Sequence, residues 1–167
     1  MSNRYWIAID VGIKNLGFCV YDIEQGCVVD WRNVSLCNGH RYVPGDNVSI
    51  VMQFIRDNGA WFQHCNKLII EKQIRCNMRI IESVFHTLFY DKAVLVHARN
   101  VKMHFGTSCC NYKENKRKAI EFVNANLSAF VTDASLKQAY EGATKKDDMA
   151  DALLLIHYYK NTFVNNF

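Results

Sequence analysis

Along the chain, the spacing of apolar residues moves from the twofold period of strands to the 3.6-residue period of helices. Tyr5 to Ile13 is β-rich and apolar, and Leu16 to Tyr21 follows after Lys14-Asn15 at hairpin spacing. Glu24-Gln25-Gly26 supplies turn chemistry, and the alternation from Cys27 to Leu36 completes an expected three-stranded antiparallel meander. Gly39 to Gly45 reads as a loop. Between Asn47 and Cys65, residues Val48, Val51, Met52, Ile55 and Phe62 recur at helical spacing, with a break expected at Asn58-Gly59. Lys67 to Glu71 reads as a short buried strand and Ala93 to Ala98 as a fifth. Between them, Asn77 to Phe89 is a predicted helix with Ile80, Ile81, Val84, Phe85, Leu88 and Phe89 on one broad apolar face. Gly106 to Tyr112 reads as loop, and Glu114 to Asn126 as a basic helix. Asp147 to Thr162 reads as a last helix with Ala152, Leu155, Ile156 and Tyr159 turned to a core. Three antiparallel strands followed by strands alternating with helices predict an α/β fold, a mixed five-stranded sheet flanked by helices.

At 167 residues the chain fits one core, and its lone proline, Pro44, leaves no Pro-rich linker, so a single domain over 1–167 is expected. No apolar run reaches the roughly 18 residues of a bilayer span. The Met-Ser-Asn-Arg-Tyr start lacks a signal peptide's apolar stretch, and the expectation is a soluble, intracellular protein with no membrane partner. Seven cysteines, an odd number with several inside strand-like runs, read as reduced thiols. Zinc is disfavoured because no Cys-x-x-Cys pair exists and the adjacent Cys109 and Cys110 point apart in a strand. The formal charge of +4 is compatible with a polyanionic partner without requiring one. Distribution says more: four positive charges fall between Lys113 and Lys118, and Lys145-Lys146 directly precede an acidic cluster. Taken alone, such a run reads first as a solvated helix face.

Four carboxylates carry the candidate chemistry. Asp10 lies in an apolar strand run, where a carboxylate is costly unless paired or metal-bound, although capping a turn around Gly12 would also account for it. Glu71 repeats the situation after Leu68-Ile69-Ile70. Asp148 and Asp151, three residues apart on a helix, share a face within reach of one ion, while Asp147 is expected to point elsewhere. Helix-start chemistry, with Thr144 as N-cap, explains Asp147 well and the other two less well. Hard oxygen ligands with no competing His or Cys cluster select Mg²⁺, with Mn²⁺ able to substitute, and four carboxylates suit two ions. Such a pair of ions hydrolyses phosphodiesters by activating water and stabilising the leaving oxygen, without needing His97 or His157 as bases.

The sequence Asp10-Val-Gly-Ile-Lys-Asn on a first strand, Ile-Ile-Glu71-Lys-Gln on a fourth, and Asp148-Met-Ala-Asp151-Ala on a last helix resembles the RuvC-type Holliday junction resolvases. The stretches Asp-Val-Gly-Ile-Lys-Asn-Leu-Gly and Lys-Lys-Asp-Asp-Met-Ala-Asp-Ala look most like the poxvirus branch. The resemblance implies an RNase H-like fold with Asp10, Glu71, Asp148 and Asp151 as metal ligands. It also implies a homodimer that nicks a four-way DNA junction symmetrically, and a part in processing concatemeric viral genomes in the host cytoplasm. No small-molecule cofactor is implied. A lysine near the scissile phosphate belongs to the pattern; Lys116 is the best match, with Lys102 and Lys113 in alternative registers. Lys14, Arg75, Arg79, Lys102, Lys113, Lys118 and Lys145 are the candidate DNA contacts, with Tyr112 beside them. The apolar faces of Asn77 to Phe89 and of the last helix are candidate dimer surfaces, if the domain does not bury them.

Three rival readings remain at this level. An RNase H-type enzyme cutting RNA in a hybrid would use the same carboxylates. A kinase or actin-like ATPase would share the Asp-x-Gly after a strand, but lacks here a second glycine-rich phosphate loop and the length for two lobes. A non-catalytic DNA-binding module has no evident use for four carboxylates facing a phosphate backbone.

Overall fold

The five expected strands form, and their register places the site. The computed structural model describes residues 3–37 and 39–164. Strands β1 (Tyr5–Asp10), β2 (Leu16–Asp22) and β3 (Cys27–Val34) make the antiparallel meander. Strand β4 (Cys65–Glu71) adds parallel to β1, and β5 (Ala93–Val96) adds parallel to β4, giving the order β3-β2-β1-β4-β5. The meander and the two parallel strands are those the apolar pattern predicts.

Both faces of the central strands are covered, which is why they carry no polar alternation. On one face, Ile7, Ile9, Phe18, Val20, Leu68 and Ile70 pack against Val51 and Phe54 of α1 (Asn47–Asp57), Phe62 of α2 (Gly59–Phe62), and Ile81 and Phe85 of α3 (Cys76–Leu88). The break between α1 and α2 falls at Asn58, as the Asn-Gly pair predicts. On the other face, Trp6, Ala8, Cys19, Trp31 and Ile69 pack under α4 (Ala98–His104), α5 (Tyr112–Phe130), α6 (Ala134–Gly142) and α7 (Lys146–Tyr159). A terminal π-helical turn, Lys160–Val164, follows α7.

Several boundaries differ from the sequence reading. Helix α7 is buried on nearly every side from Met149 to Ile156, so it lies inside the molecule and offers no surface for a second subunit. In α3 and α1 the outcome is opposite: Ile80, Leu88 and Val48 stay exposed beside Ile74. Helices α4 and α6 were not predicted, since each is short and mixes polar residues into its apolar period. Helix α5 starts two residues early because Asn111 caps it, its side chain accepting from the Lys113 amide at 2.9 Å. Thr144 does not cap α7; Lys145 occupies that position, and no side chain closes it. All seven cysteines are free thiols. Among the described residues no helix is long and apolar enough to cross a membrane.

Candidate active site

Strand parity brings the first two carboxylates together. Trp6 and Ala8 of β1 face α7, and Asp10 continues their row; Ile69 of β4 faces the same layer, and Glu71 continues it. Because β1 and β4 are parallel with Ile9 opposite Ile70, both acids stand at the carboxyl ends of adjacent strands. A parallel pair opens a crevice for ligands at that end.

The other two acids arrive through close approach of a helix. Gly17 on β2 is the register partner of Asp10, and a Cβ built on it would lie 2.1 Å from the Asp148 carbonyl oxygen. Only glycine lets α7 settle that close to the sheet. The first turns of α7 are pinned further by the buried Trp31 indole, which donates to the Met149 carbonyl at 2.7 Å, and by the Asn33 amide, which donates to the Lys145 carbonyl. From that seat Asp148 and Asp151 project toward Asp10 and Glu71. The turn after β1 is equally constrained, since a Cβ on Gly12 would meet the Asn15 carbonyl oxygen at 2.0 Å. Its Ile13 carbonyl accepts from Leu36 at 2.8 Å, which ties the turn to the end of β3.

The four acids share a cleft of about 500 Å³ with Lys14, Lys72, Arg75, Lys102, Lys116, Lys145 and Tyr112. Burial and mutual repulsion set the electrostatics. Burial first, then the charges of Glu71, Asp151 and Asp148, push the Asp10 carboxyl well above the ordinary carboxylate range. Burial and Asp151 raise Glu71 to about 7, with Lys102 and Lys116 opposing the rise. Burial raises Asp151 to about 6 against the same two lysines, and burial with Asp147 raises Asp148. Among the described residues no Lys or Arg forms an ion pair with Asp10, Glu71 or Asp151. Lys116 is held by Asp147, with its Nζ 4.0 Å from Asp148 Oδ1.

This donor set fits a hard divalent cation. It consists of carboxylate oxygens, and three of the four acids, Asp10, Glu71 and Asp151, have no ion-pair partner among the described residues, a deficit of positive charge that a cation would remove. Among the described residues no three His, Cys, Asp or Glu side chains are gathered tightly enough to enclose an ion by themselves. A hard divalent cation held by few protein ligands keeps positions for water and phosphate oxygens, which an all-carboxylate set in an open cleft leaves room for.

Measured against the sequence expectations, Asp10, Glu71, Asp148, Asp151, Lys116, Lys14, Arg75, Lys102 and Lys145 do converge. Arg79, Lys113 and Lys118 do not line the cleft. Arg79 borders the apolar groove around Val48, Ile74, Ile80 and Leu88, while Lys113 and Lys118 lie on other faces of α5. Asp147 points elsewhere than Asp148 and Asp151, as expected: it does not line the cleft but turns to α5 and pairs with Lys116. Lys102 reaches the cleft from α4, a helix that sequence periodicity did not reveal. Gly17 and Trp31 were missed as site-forming residues; the Leu-Gly that closes the first motif was the available signal for Gly17. His97 is exposed, and His157 stacks on Phe130 at 3.9 Å with its pKa lowered to about 4 by burial and Lys160, so neither adds a base.

Comparison with known proteins bears on the fold and the family. The chain superposes on the yeast mitochondrial Holliday junction resolvase with a TM-score of 0.70 at 16% identity, covering 99% of this chain and 87% of that one. It matches the fowlpox virus resolvase, solved with substrate Holliday junction DNA, with a TM-score of 0.70 at 17% identity over 96% and 99% of the two chains. RuvC of T. thermophilus, in complex with a Holliday junction substrate, follows at 0.57 and 10% identity over 96% of each chain. At these identities the shared property is the fold, the RNase H-like mixed sheet expected from the motifs. No protein of curated function matches the sequence. The sequence itself matches the family model of the poxvirus A22 protein over residues 6–161, nearly its whole length, and the chain belongs to that family.

Proposed function

We propose that this protein is a divalent-metal-dependent endonuclease that resolves four-way DNA junctions by paired, symmetric nicks. The observation that carries the reading is the convergence of Asp10, Glu71, Asp148 and Asp151 in a cleft rimmed by Lys14, Lys72, Arg75, Lys102, Lys116 and Lys145, of which Lys116 alone is ion-paired among the described residues. The family and the junction-resolving enzymes that share the fold support the substrate. Asp10, Glu71, Asp148 and Asp151 would hold the metal, Mg²⁺ or Mn²⁺, in a two-ion site. When bound, such ions supply Lewis acidity to the attacking water and the leaving 3′ oxygen. Lys14, Arg75 and Lys145 at the rim take phosphates on either side of the cut, fixing the strand over the acids. Lys116 and Lys102 set positive charge beside the scissile phosphate, where charge builds in the transition state. The catalytic unit is a single domain, and processing of concatemeric viral genomes in the host cytoplasm is the role this activity would serve.

Paired nicks require two active sites, and a homodimer supplies them with the two-fold symmetry of the junction. The exposed Val48, Ile74, Ile80 and Leu88 favour the α1–α3 side as its interface. Ile80→Asp should therefore give a monomer in sedimentation, with the fold intact by circular dichroism.

The experiment is cleavage of a synthetic four-way junction, a matched linear duplex and an RNA/DNA hybrid, each with and without Mg²⁺. Symmetric, Mg²⁺-dependent nicks confined to the junction are expected. Cleavage of the hybrid alone would reassign the substrate to RNase H chemistry, and tight junction binding without any cutting would end the nuclease reading.

A further inference from the structure

We infer that Asp147 is a positioning residue that holds Lys116 beside the acidic centre as its direct partner, leaving Asp148 at the longer distance of 4.0 Å; the inference rests on the nuclease reading above. Successive residues of an α-helix point about 100° apart, so neighbours in the first turn of α7 face different partners. Asp148 turns into the cleft. Asp147 turns to α5, where its Oδ2 pairs with the Lys116 ammonium. The same Nζ lies 4.0 Å from Asp148 Oδ1 and 5.2 Å from the centre of the Tyr112 ring. The pair is sheltered, with the lysine side chain 31% exposed and the aspartate 14%.

A lysine side chain is long and flexible, and a free ammonium at this point would be drawn to the nearest uncompensated carboxylate. That carboxylate is Asp148, one of the four acids meant for the cation. With Asp147 taking the ammonium directly, Lys116 stays within reach of a bound phosphate and Asp148 keeps its oxygens available. The neighbouring cation on α5 shows the same sorting in reverse. Arg117 is bound by Glu114 and Glu121 on the exposed side of the helix, away from the cleft. Acids on two helices thus divide the basic run, one cation inward and one outward. The consequence of Asp147 is geometric: it narrows the positions that Lys116 samples before the substrate arrives.

Two measurements test this. The first needs no cleavage: the folded wild type and Asp147→Asn are acylated with limiting N-hydroxysuccinimidyl acetate, and each lysine is followed by peptide mass spectrometry. Lys116 should react more slowly than Lys113 and Lys118 in the wild type and about fivefold faster in Asp147→Asn, with those two unchanged. The second is single-turnover cleavage of a synthetic four-way junction alongside its binding. Asp147→Asn should lose roughly tenfold in rate at unchanged Kd, and nothing further when Lys116→Ala is already present. Asp147→Glu, which keeps the carboxylate, should recover most of the rate. Unchanged labelling of Lys116 would overturn the inference, and so would additive rate losses in the double variant. If the wild type cut no nucleic acid, the nuclease reading would fall, and the labelling would still decide whether Asp147 holds Lys116.

Discussion

Asp10 and Asp22 are both aspartates that end an apolar strand of the same antiparallel pair, yet the protein treats them in opposite ways. Asp22 is almost wholly buried and fully answered: Arg4 Nε donates to it at 2.7 Å, and the amides of Glu24 and Gln25 donate at 2.9 and 3.0 Å. The Arg4 hydrogen bond, aided by those amides, holds its carboxyl below the ordinary range despite burial. Asp10 has no cation at ion-pair distance and three acidic neighbours, and its carboxyl is held far above that range. A buried acid that the protein itself neutralises is a structural element. One left for something else to neutralise marks a site, and here three such acids, Asp10, Glu71 and Asp151, gather with Asp148 in one place.

Substitution should separate the two most sharply. Asp10→Asn is expected to reduce junction cleavage by roughly a thousandfold or more, because it removes a ligand worth several kcal/mol of transition-state stabilisation. The metal-free protein should melt higher, since a repelling charge has gone. Asp22→Asn should leave cleavage intact at low temperature and destabilise the fold by roughly 1–3 kcal/mol in urea titration. If Asp22→Asn abolished cleavage in a folded protein, the contrast between the two acids would collapse.

Gly17 tests the approach that completes the acidic set. Gly17→Ala is expected to cost about 1–3 kcal/mol by overpacking and to lower the cleavage rate more than stability alone explains, because the Asp148 backbone must retreat from Asp10. Unchanged activity would show that Asp148 does not depend on that contact.

The pH dependence should carry opposite signs at the two places. Glu71 near 7 and Asp151 near 6 are raised above their unfolded values, so between about pH 4.5 and pH 7 the folded state binds more protons than the unfolded chain. Stability of the metal-free protein should therefore fall as pH rises through that window, and Mg²⁺ should reverse much of the fall. Asp22, whose folded value is depressed, contributes stability above its unfolded value that is lost as pH drops through the folded one. Thermal melts across pH with and without Mg²⁺ would show both limbs; a metal-free melting temperature that climbed from pH 5 to pH 8 would contradict the assignment.

The smallest expected effect concerns the rim. Lys145→Ala and Lys14→Ala should each weaken junction binding and reduce the slope of log K against log salt by about 1, whereas Lys113→Ala, outside the cleft, should change it little. Equal slopes for all three variants would mean that the DNA follows α5 rather than the cleft.

The sequence by itself determined the sheet and the four acids. Strand period is a local property, and a carboxylate ending a buried apolar run is conspicuous without any partner in view, as Asp10 and Glu71 are. Asp148 and Asp151 were legible because three-residue spacing on a helix fixes a shared face. What only the tertiary structure decided depends on contacts between distant segments. Asp22 looks like Asp10 until Arg4 is seen beside it, and Asp147 looks like ordinary helix-start chemistry until α5 brings Lys116 within reach. The basic run from Lys113 to Lys118 could not be divided without knowing which side of α5 meets α7, and Lys102 arrives on a helix too short to announce itself by periodicity. The exposed Ile80 and Leu88 and the enclosed α7 separate two similar apolar patterns, because a helix's own pattern says which residues are apolar but not how many neighbours will cover them.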